Sequence, residues 1–323
     1  MHLCLTATQD DDGRRLDRVL RKVLRKTPLS AIHRMLRKGL IRVDGLSSGA
    51  AYRVRAGQTI TVPSLDPALP QQETLRRSLD YCLPQPALEI LFEGEGLLIL
   101  NKAAGLLVHG RGSLEEQVLS YLKLSPSLSF RSGPLHRLDR PTSGLLVFST
   151  NLNGARFFSA MMRERKIKKQ YLAIVEGIIK ENEIWQDKLV RDKILKKTFV
   201  LQHGSFNAKP VLPDKAKTAM TRVRPLLSNT VSTLILAEIE TGRIHQIRSQ
   251  AASYGHPLLG DRKYGGAPFH GDMDYKESFL LHAWRMEFPS PLPRFIEAPL
   301  PEKFREKIYG YYGVDSVQFN AGV

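Results

Sequence analysis

The chain has 323 residues, 42% of them hydrophobic and 25% charged, an ordinary globular composition with room for two domains. Its net charge of +16 is not ordinary, and a polyanion is the natural partner for so large an excess of Lys and Arg. Two cysteines, Cys4 and Cys82, exclude a disulfide framework or a four-cysteine zinc site; with no apolar leader and no stretch of membrane-spanning length, the reading is a soluble cytoplasmic protein.

The positive charge is concentrated early: residues 14–42 hold eleven Lys or Arg and one acid, Asp17. Leu16, Val19, Leu20, Val23 and Leu24 recur at helical spacing and leave Arg18, Arg21, Lys22 and Arg25 on the opposite face. A second helix is expected from an N-cap at Ser30 through Ile32, Met35 and Leu36 to a stop at Gly39, with His33, Arg34, Arg37 and Lys38 outward. Residues 40–43 read as a strand entering an Asp44-Gly45 turn, and residues 59–62 alternate as another. A charge run is ordinarily a solvated helix face, yet two consecutive faces of one sign are unfavourable unless phosphate neutralises them. Arg15-Leu16-Asp17, Lys38-Gly39 and Val43-Asp44-Gly45 together resemble an S4 RNA-binding domain, placed at residues 12–62, with Arg18, Arg21, Arg34, Arg37 and Lys38 as candidate RNA contacts. Residues 63–85, spaced by Pro67, Pro70 and Pro84, read as a linker.

A second domain is expected over residues 86–312. Residues 89–93 and 97–100 flank Gly94-Glu95-Gly96 as a hairpin, and Ser113 with Glu116 forms a capping-box pattern for a helix through Val118, Leu119 and Leu122. His136-Arg137-Leu138-Asp139-Arg140-Pro141-Thr142-Ser143-Gly144 then sets one carboxylate between two arginines, on a turn shaped by Pro141 and Gly144, before an apolar strand at 145–148. A lone Asp in a turn is most often a backbone tie; flanking arginines favour a carboxylate suited to nucleophilic or base chemistry. Residues 151–165 read as a helix, 163–169 as a second basic cluster and 171–177 as an alternating strand, in which periodicity alone makes Tyr171 a core or edge aromatic. Residues 181–227 offer little beyond a short strand at 219–224. Residues 234–239 form a strand that 240–248 turns into a helix reaching Tyr254, placing Arg243 and Arg248 at a strand-to-helix junction and His245 as a structural hydrogen-bonder. No phosphate-binding loop, dinucleotide fingerprint or metal-ligand cluster is apparent, so neither a metal nor a nucleotide cofactor is expected.

The nonapeptide at 136–144 resembles the signature of the RluA-type pseudouridine synthases. Further blocks agree in order: 101–105, where Ala103 stands in place of the family's proline; 169–177; and 240–248, after which Ser249-Gln250 replaces Val-His. Residues 256–261, 264–265, 280–284 and 297–301 extend the likeness over about 86–305. The resemblance implies an α+β protein, a mixed, mostly antiparallel sheet domain behind the small S4-like one, that isomerises uridine to pseudouridine in RNA without a cofactor. It implies Asp139 as the catalytic aspartate, Arg248 in an ion pair with it, Tyr171 lining the uridine pocket and assisting proton removal, Arg243 on the substrate, and Arg137 filling the space left by a flipped-out base. The S4-like unit adds 23S ribosomal RNA as the expected substrate, with transfer RNA second. A monomer is expected. Two rivals stand beside this reading: a non-catalytic RNA-binding or ribosome-assembly factor, and a hydrolase built from Ser143, His245 and Asp139, which lacks a Gly-x-Ser-x-Gly elbow.

Overall fold

The computed structural model describes residues 2–63, 88–123, 127–201, 216–269 and 279–315, which fall into two compact units. The first takes its residues from Met1–Leu88, His109–Leu135 and Phe148–Phe158, the second from Glu89–Val108, His136–Val147 and Ser159–Val323. Beyond Pro63, the expected linker lies outside the described residues.

In the first unit, β1 (His2–Thr6), β2 (Arg42–Val43), β3 (Leu46–Ser47) and β4 (Thr59–Pro63) form a sheet in the order β1-β4-β2-β3. It shares one core with the helices Leu16–Val23 and Leu29–Arg37, through Leu16, Val19, Leu20, Ile32, Leu36 and Ile60. Asp44 and Gly45 take φ of 48° and 79°, the paired positive values a two-residue hairpin turn requires. The second helix begins after Pro28, not at Ser30: the proline's φ of −57° and extended ψ of 145° set the entry, and Ser30 falls exposed in the first turn. Gly39, at φ +65°, ends it with Gly39 N on the Leu36 carbonyl and Leu40 N on the Met35 carbonyl, a Schellman closure. β1 precedes the expected start at residue 12 and pairs along all of β4. Its alternation is too short to stand out from its polar neighbours.

The later segments of this unit are tied to its start by acids. Asp11 accepts hydrogen bonds from Thr8 N, Leu128 N and the hydroxyls of Ser127 and Ser129, and Asp10 accepts from Leu152 N at 2.7 Å. The helix Leu114–Leu122 does start at Ser113, but the expected capping box is not formed. Glu116 instead accepts from Gly112 N at 2.7 Å, and the buried Ser113 Oγ has no partner among the described residues.

The strands β5 (Ile90–Gly94), β6 (Leu97–Lys102), β7 (Gly133–Pro134, in the first unit), β8 (Ser143–Ser149), β9 (Lys168–Glu176), β10 (Glu183–Asp192), β11 (Lys197–Leu201), β12 (Lys217–Ser228), β13 (Ser232–Ile239), β14 (Leu281–Glu287) and β15 (Phe295–Glu297) follow. The long sheet runs β11-β10-β12-β13-β9-β14-β8-β6-β5, with β15 on β14. It is mixed and mostly antiparallel; β8 and β14 run parallel, Ser143 opposite His282 and Gly144 opposite Ala283. That pairing explains the motif's glycine: at φ +102° a Cβ on Gly144 would lie 2.2 Å from the Ala283 carbonyl oxygen. Leu172 and Ile174 of β9 point into a core with Leu234, Leu236 and Trp284, covered by Phe304 and Ile308 of the helix Glu302–Tyr312. Tyr171 and Lys169 alternate to the opposite face. Among the described residues no helix is long and apolar enough to cross a membrane.

Candidate active site

Asp139 opens a turn closed by the Thr142 amide on its carbonyl (3.1 Å), just before β8. Lys102, at the end of β6 and fully buried, donates from Nζ to the carbonyls of Ala103 (2.9 Å) and Arg140 (3.1 Å). Gly105 N also donates to the Arg140 carbonyl (2.8 Å), and Arg140 Nε donates to the Gly105 carbonyl (2.9 Å). These bonds hold the 101–105 segment against the Asp139 turn although Ala103 lacks a proline's fixed φ. Burial pulls the Lys102 pKa down to about 8, against the attraction of the Asp139 carboxylate.

Arg248 is in the first turn of the helix Gln246–Ser253. Its Nε and Nη2 grip Asp261 at 2.6 and 2.8 Å, and its Nη1 donates to Asp139 Oδ2 at 2.9 Å. The guanidinium lies over the Phe279 ring at 4.1 Å and the Tyr264 ring at 5.1 Å. The three side chains are graded in exposure, Asp261 at 1%, Arg248 at 6% and Asp139 at 15%, so the carboxylate that orients the arginine is the deeper one. Burial opposes the Arg248 charge, but the hydrogen bonds and charges of Asp261 and Asp139 outweigh it and raise the pKa.

His245 precedes this helix in a left-handed conformation, φ +55°. Its Nδ1 is 2.8 Å from the Tyr264 hydroxyl and 3.5 Å from Arg191 Nη1, while Nε2 is 3.6 Å from Asp139 Oδ2. Arg191 can only donate, and the Tyr264 oxygen already accepts from Thr198 N, so Nδ1 is the acceptor and the ring proton sits on Nε2, toward Asp139. Burial lowers the His245 pKa to about 4, with Asp139 opposing and Arg248, Arg191 and Lys263 adding to the fall. The imidazole is therefore neutral at pH 7.

Tyr171 on β9 faces Ala237 of β13 and Ala283 of β14 across its two ladders, so its two directly opposite neighbours are small. Burial, and then the charge of Asp139, push its phenol pKa above the ordinary value. It is a neutral phenol, suited to stacking and hydrogen bonding and poorly suited to standing as a phenolate base.

Arg137 is exposed beside Asp139. Arg243 is exposed in the loop before the helix, its Nε on the Thr218 carbonyl (3.1 Å) and its amide on Gln246 Oε1 (3.0 Å). Arg18, Arg21, Arg34, Arg37 and Lys38 are all exposed on the two helices of the first unit. The hydrolase triad is not assembled: Ser143 Oγ bonds His282 Nδ1 at 2.8 Å, both residues are buried, and His282 Nε2 meets the Ala298 carbonyl.

The family model described as RNA pseudouridylate synthase matches residues 96–253. Ribosomal large subunit pseudouridine synthase C of Escherichia coli (strain K12) is 33% identical over 306 residues, 91% of this chain and 92% of that protein. The protein of the same name from Pasteurella multocida (strain Pm70) is 33% identical over 292 residues, 89% and 86% of the two chains. The chain belongs to the RNA pseudouridylate synthase family. The fold of human RNA Pseudouridylate Synthase Domain Containing 1 agrees, with a TM-score of 0.55 at 21% identity over 73% of this chain and 94% of that one. So does that of human RNA Pseudouridylate Synthase Domain Containing 4, at 0.53 and 22% over 74% and 96%.

This RNA pseudouridine synthase has site groups that the motifs alone did not single out: Asp261, Lys102, Tyr264 and Phe279. For Asp261 a signal existed, an acid inside a matching loop of a strongly basic chain. Gln250, where the family has histidine, is fully buried and bonds Thr221 Oγ1, the Trp185 carbonyl and Asp187. In this synthase the position is a tie between helix and sheet.

Proposed function

We propose that this pseudouridine synthase modifies specific uridines of large-subunit (23S) ribosomal RNA, with Asp139 acting on a uridine flipped out of its stack. The observation that carries the reading is the Asp139 carboxylate, held at 2.9 Å by an Arg248 that Asp261 grips from behind. Arg248 and His245 both address Oδ2, and Oδ1 has no partner among the described residues. That oxygen attacks carbon 1′ of the ribose or takes the proton from carbon 2′ as the bond to uracil nitrogen 1 breaks. Tyr171 packs on the freed uracil while it turns to rejoin through carbon 5. The carbon 5 proton then passes to the released Asp139 carboxylate, directly or with the Tyr171 phenol as relay. A stacked uridine cannot reach a side chain this deep, so the base leaves the helix and the exposed Arg137 fills its place.

The names of the relatives and the exposed basic helices support ribosomal RNA over transfer RNA. Carbodiimide mapping of pseudouridine in ribosomal and transfer RNA, from cells with and without the gene, tests this. Loss of one or a few large-subunit sites is expected; loss only in transfer RNA overturns the substrate, and loss of none favours a binding factor. If the first unit is an S4-type RNA-binding domain, Arg18→Ala with Arg21→Ala weakens RNA binding and lowers the salt slope of log Kd by about 2, with the rate at saturating RNA unchanged. An unchanged slope would count against that role.

A further inference from the structure

Lys169 is the exception in its neighbourhood. The exposed cations just before it each face an acid: Arg165 meets Glu240 at 3.6 Å, Lys166 meets Glu164 at 2.7 Å and Lys168 meets Glu287 at 3.1 Å. Lys169 is 4% exposed, and no carboxylate among the described residues pairs with its ammonium; burial, and then the Lys169 charge, pull the pKa of the nearby His136 down to about 3. An unpaired buried ammonium is strongly unfavourable to folding, and such groups concentrate where a ligand completes them. Strand alternation puts Lys169 on the Tyr171 face of β9, two residues along. Its ladder neighbours are Ile239 and Met286, those of Tyr171 are Ala237 and Ala283. A Cβ on Gly242, in the loop that carries Arg243 and His245, would lie 3.8 Å from Lys169 Nζ. The arrangement is a row of small and apolar ladder neighbours beside a buried phenol, with the neutral His136 imidazole nearby and one cation that no carboxylate compensates.

We propose that the Lys169 ammonium donates a hydrogen bond to a carbonyl oxygen of the target uracil and stabilises the negative charge that collects there when the glycosidic bond breaks. The proposal rests on the reading of the site given above. In that step the carbon 1′–nitrogen 1 electron pair leaves with the uracil and spreads over nitrogen 1 and the two carbonyl oxygens. Carbon 1′ gains a bond to an Asp139 oxygen, or the carbon 2′ proton moves to Asp139. Lys169 keeps its proton throughout. On rejoining, carbon 5 bonds carbon 1′, the Asp139 bond breaks or the carbon 2′ proton returns, carbon 5 loses its proton and nitrogen 1 gains one, so the reaction remains an isomerisation. Depth selects the base over the backbone: a phosphodiester stays at the surface, where the exposed Arg137 and Arg243 stand, whereas a flipped base reaches side chains as buried as Tyr171 and Lys169.

The test is Lys169→Met in the full chain, assayed on a large-subunit RNA transcript. Its Tm is expected at or above that of the wild type, because an unpaired buried charge has been removed. RNA Kd and its salt slope should be unchanged, and the single-turnover rate at saturating RNA should fall about 10²–10³-fold, the cost of losing one donor to a developing oxyanion. Lys169→Arg, which keeps the charge, should recover part of that rate. A salt slope lowered by about 1 with an unchanged rate would make Lys169 a phosphate contact. Wild-type rate and binding would make it a core residue, and either result overturns the proposal. Should Lys169→Met fail to fold, Lys169→Gln carries the same expectations. If the wild-type protein leaves this transcript unmodified, the choice of ribosomal RNA has failed, and the comparison is run on the RNA that the wild type does modify.

Discussion

Asp139→Asn is expected to fold and to bind RNA as the wild type does, and to lose turnover by at least about 10⁴-fold, as removal of a group acting directly on the substrate does. Asparagine keeps the shape and can still accept from Arg248 Nη1. The guanidinium retains both bonds to Asp261, so no buried charge is left uncompensated. The Tm should therefore move little. Single-turnover pseudouridine formation beside a melting curve checks both halves. Appreciable turnover by a well-folded variant would remove Asp139 from the chemistry.

Arg248→Met is expected to injure both stability and activity. It strands Asp261, which is 1% exposed and loses both of its guanidinium bonds, at a cost of about 3–5 kcal/mol. It also frees the Asp139 carboxylate from its fixed position. The two effects can be separated. Adding Asp261→Asn to Arg248→Met removes the stranded charge and should restore much of the stability in urea unfolding, while the rate stays low because Asp139 still lacks its partner. A double variant that regained activity would show the Arg248–Asp139 pair to be structural only. Arg248→Lys should not substitute, since one ammonium cannot reproduce the fork that serves two carboxylates.

What could be read in advance follows from the range of each interaction. Gly39 and Asp44-Gly45 were legible because each is demanded by backbone angles that few residues adopt, whatever lies elsewhere in the chain. The 145–148 strand was legible because continuous apolarity marks a strand buried on both faces. Ser30 and the Ser113–Glu116 pair misled because the same residue types serve as caps or as ordinary first-turn residues, and Pro28 and Gly112 decide which. Asp261 was legible only as an acid in a matching loop, because its meaning comes from a partner on a separate element, the helix that carries Arg248. Lys169 was hidden: it ends a basic run, and basic runs are usually solvated. The strand starts three residues earlier than Tyr171, at Lys168, and only that start reveals that Lys169 shares a face with the tyrosine.

The place of β14 in the sheet bears on when the enzyme matures. This strand, residues 281–287, lies between β8 and β9, both of which leave the ribosome long before it does. Until it arrives, the nascent chain has two strand edges facing an empty lane, open to pairing with other chains. Gly144 has no backbone to approach, and the turn holding Asp139 lacks its anchor even though Arg248 has already been made. Competence is thus acquired only once residues 281–287 have been made, and a chain cut before residue 281 has neither a continuous sheet nor a finished site.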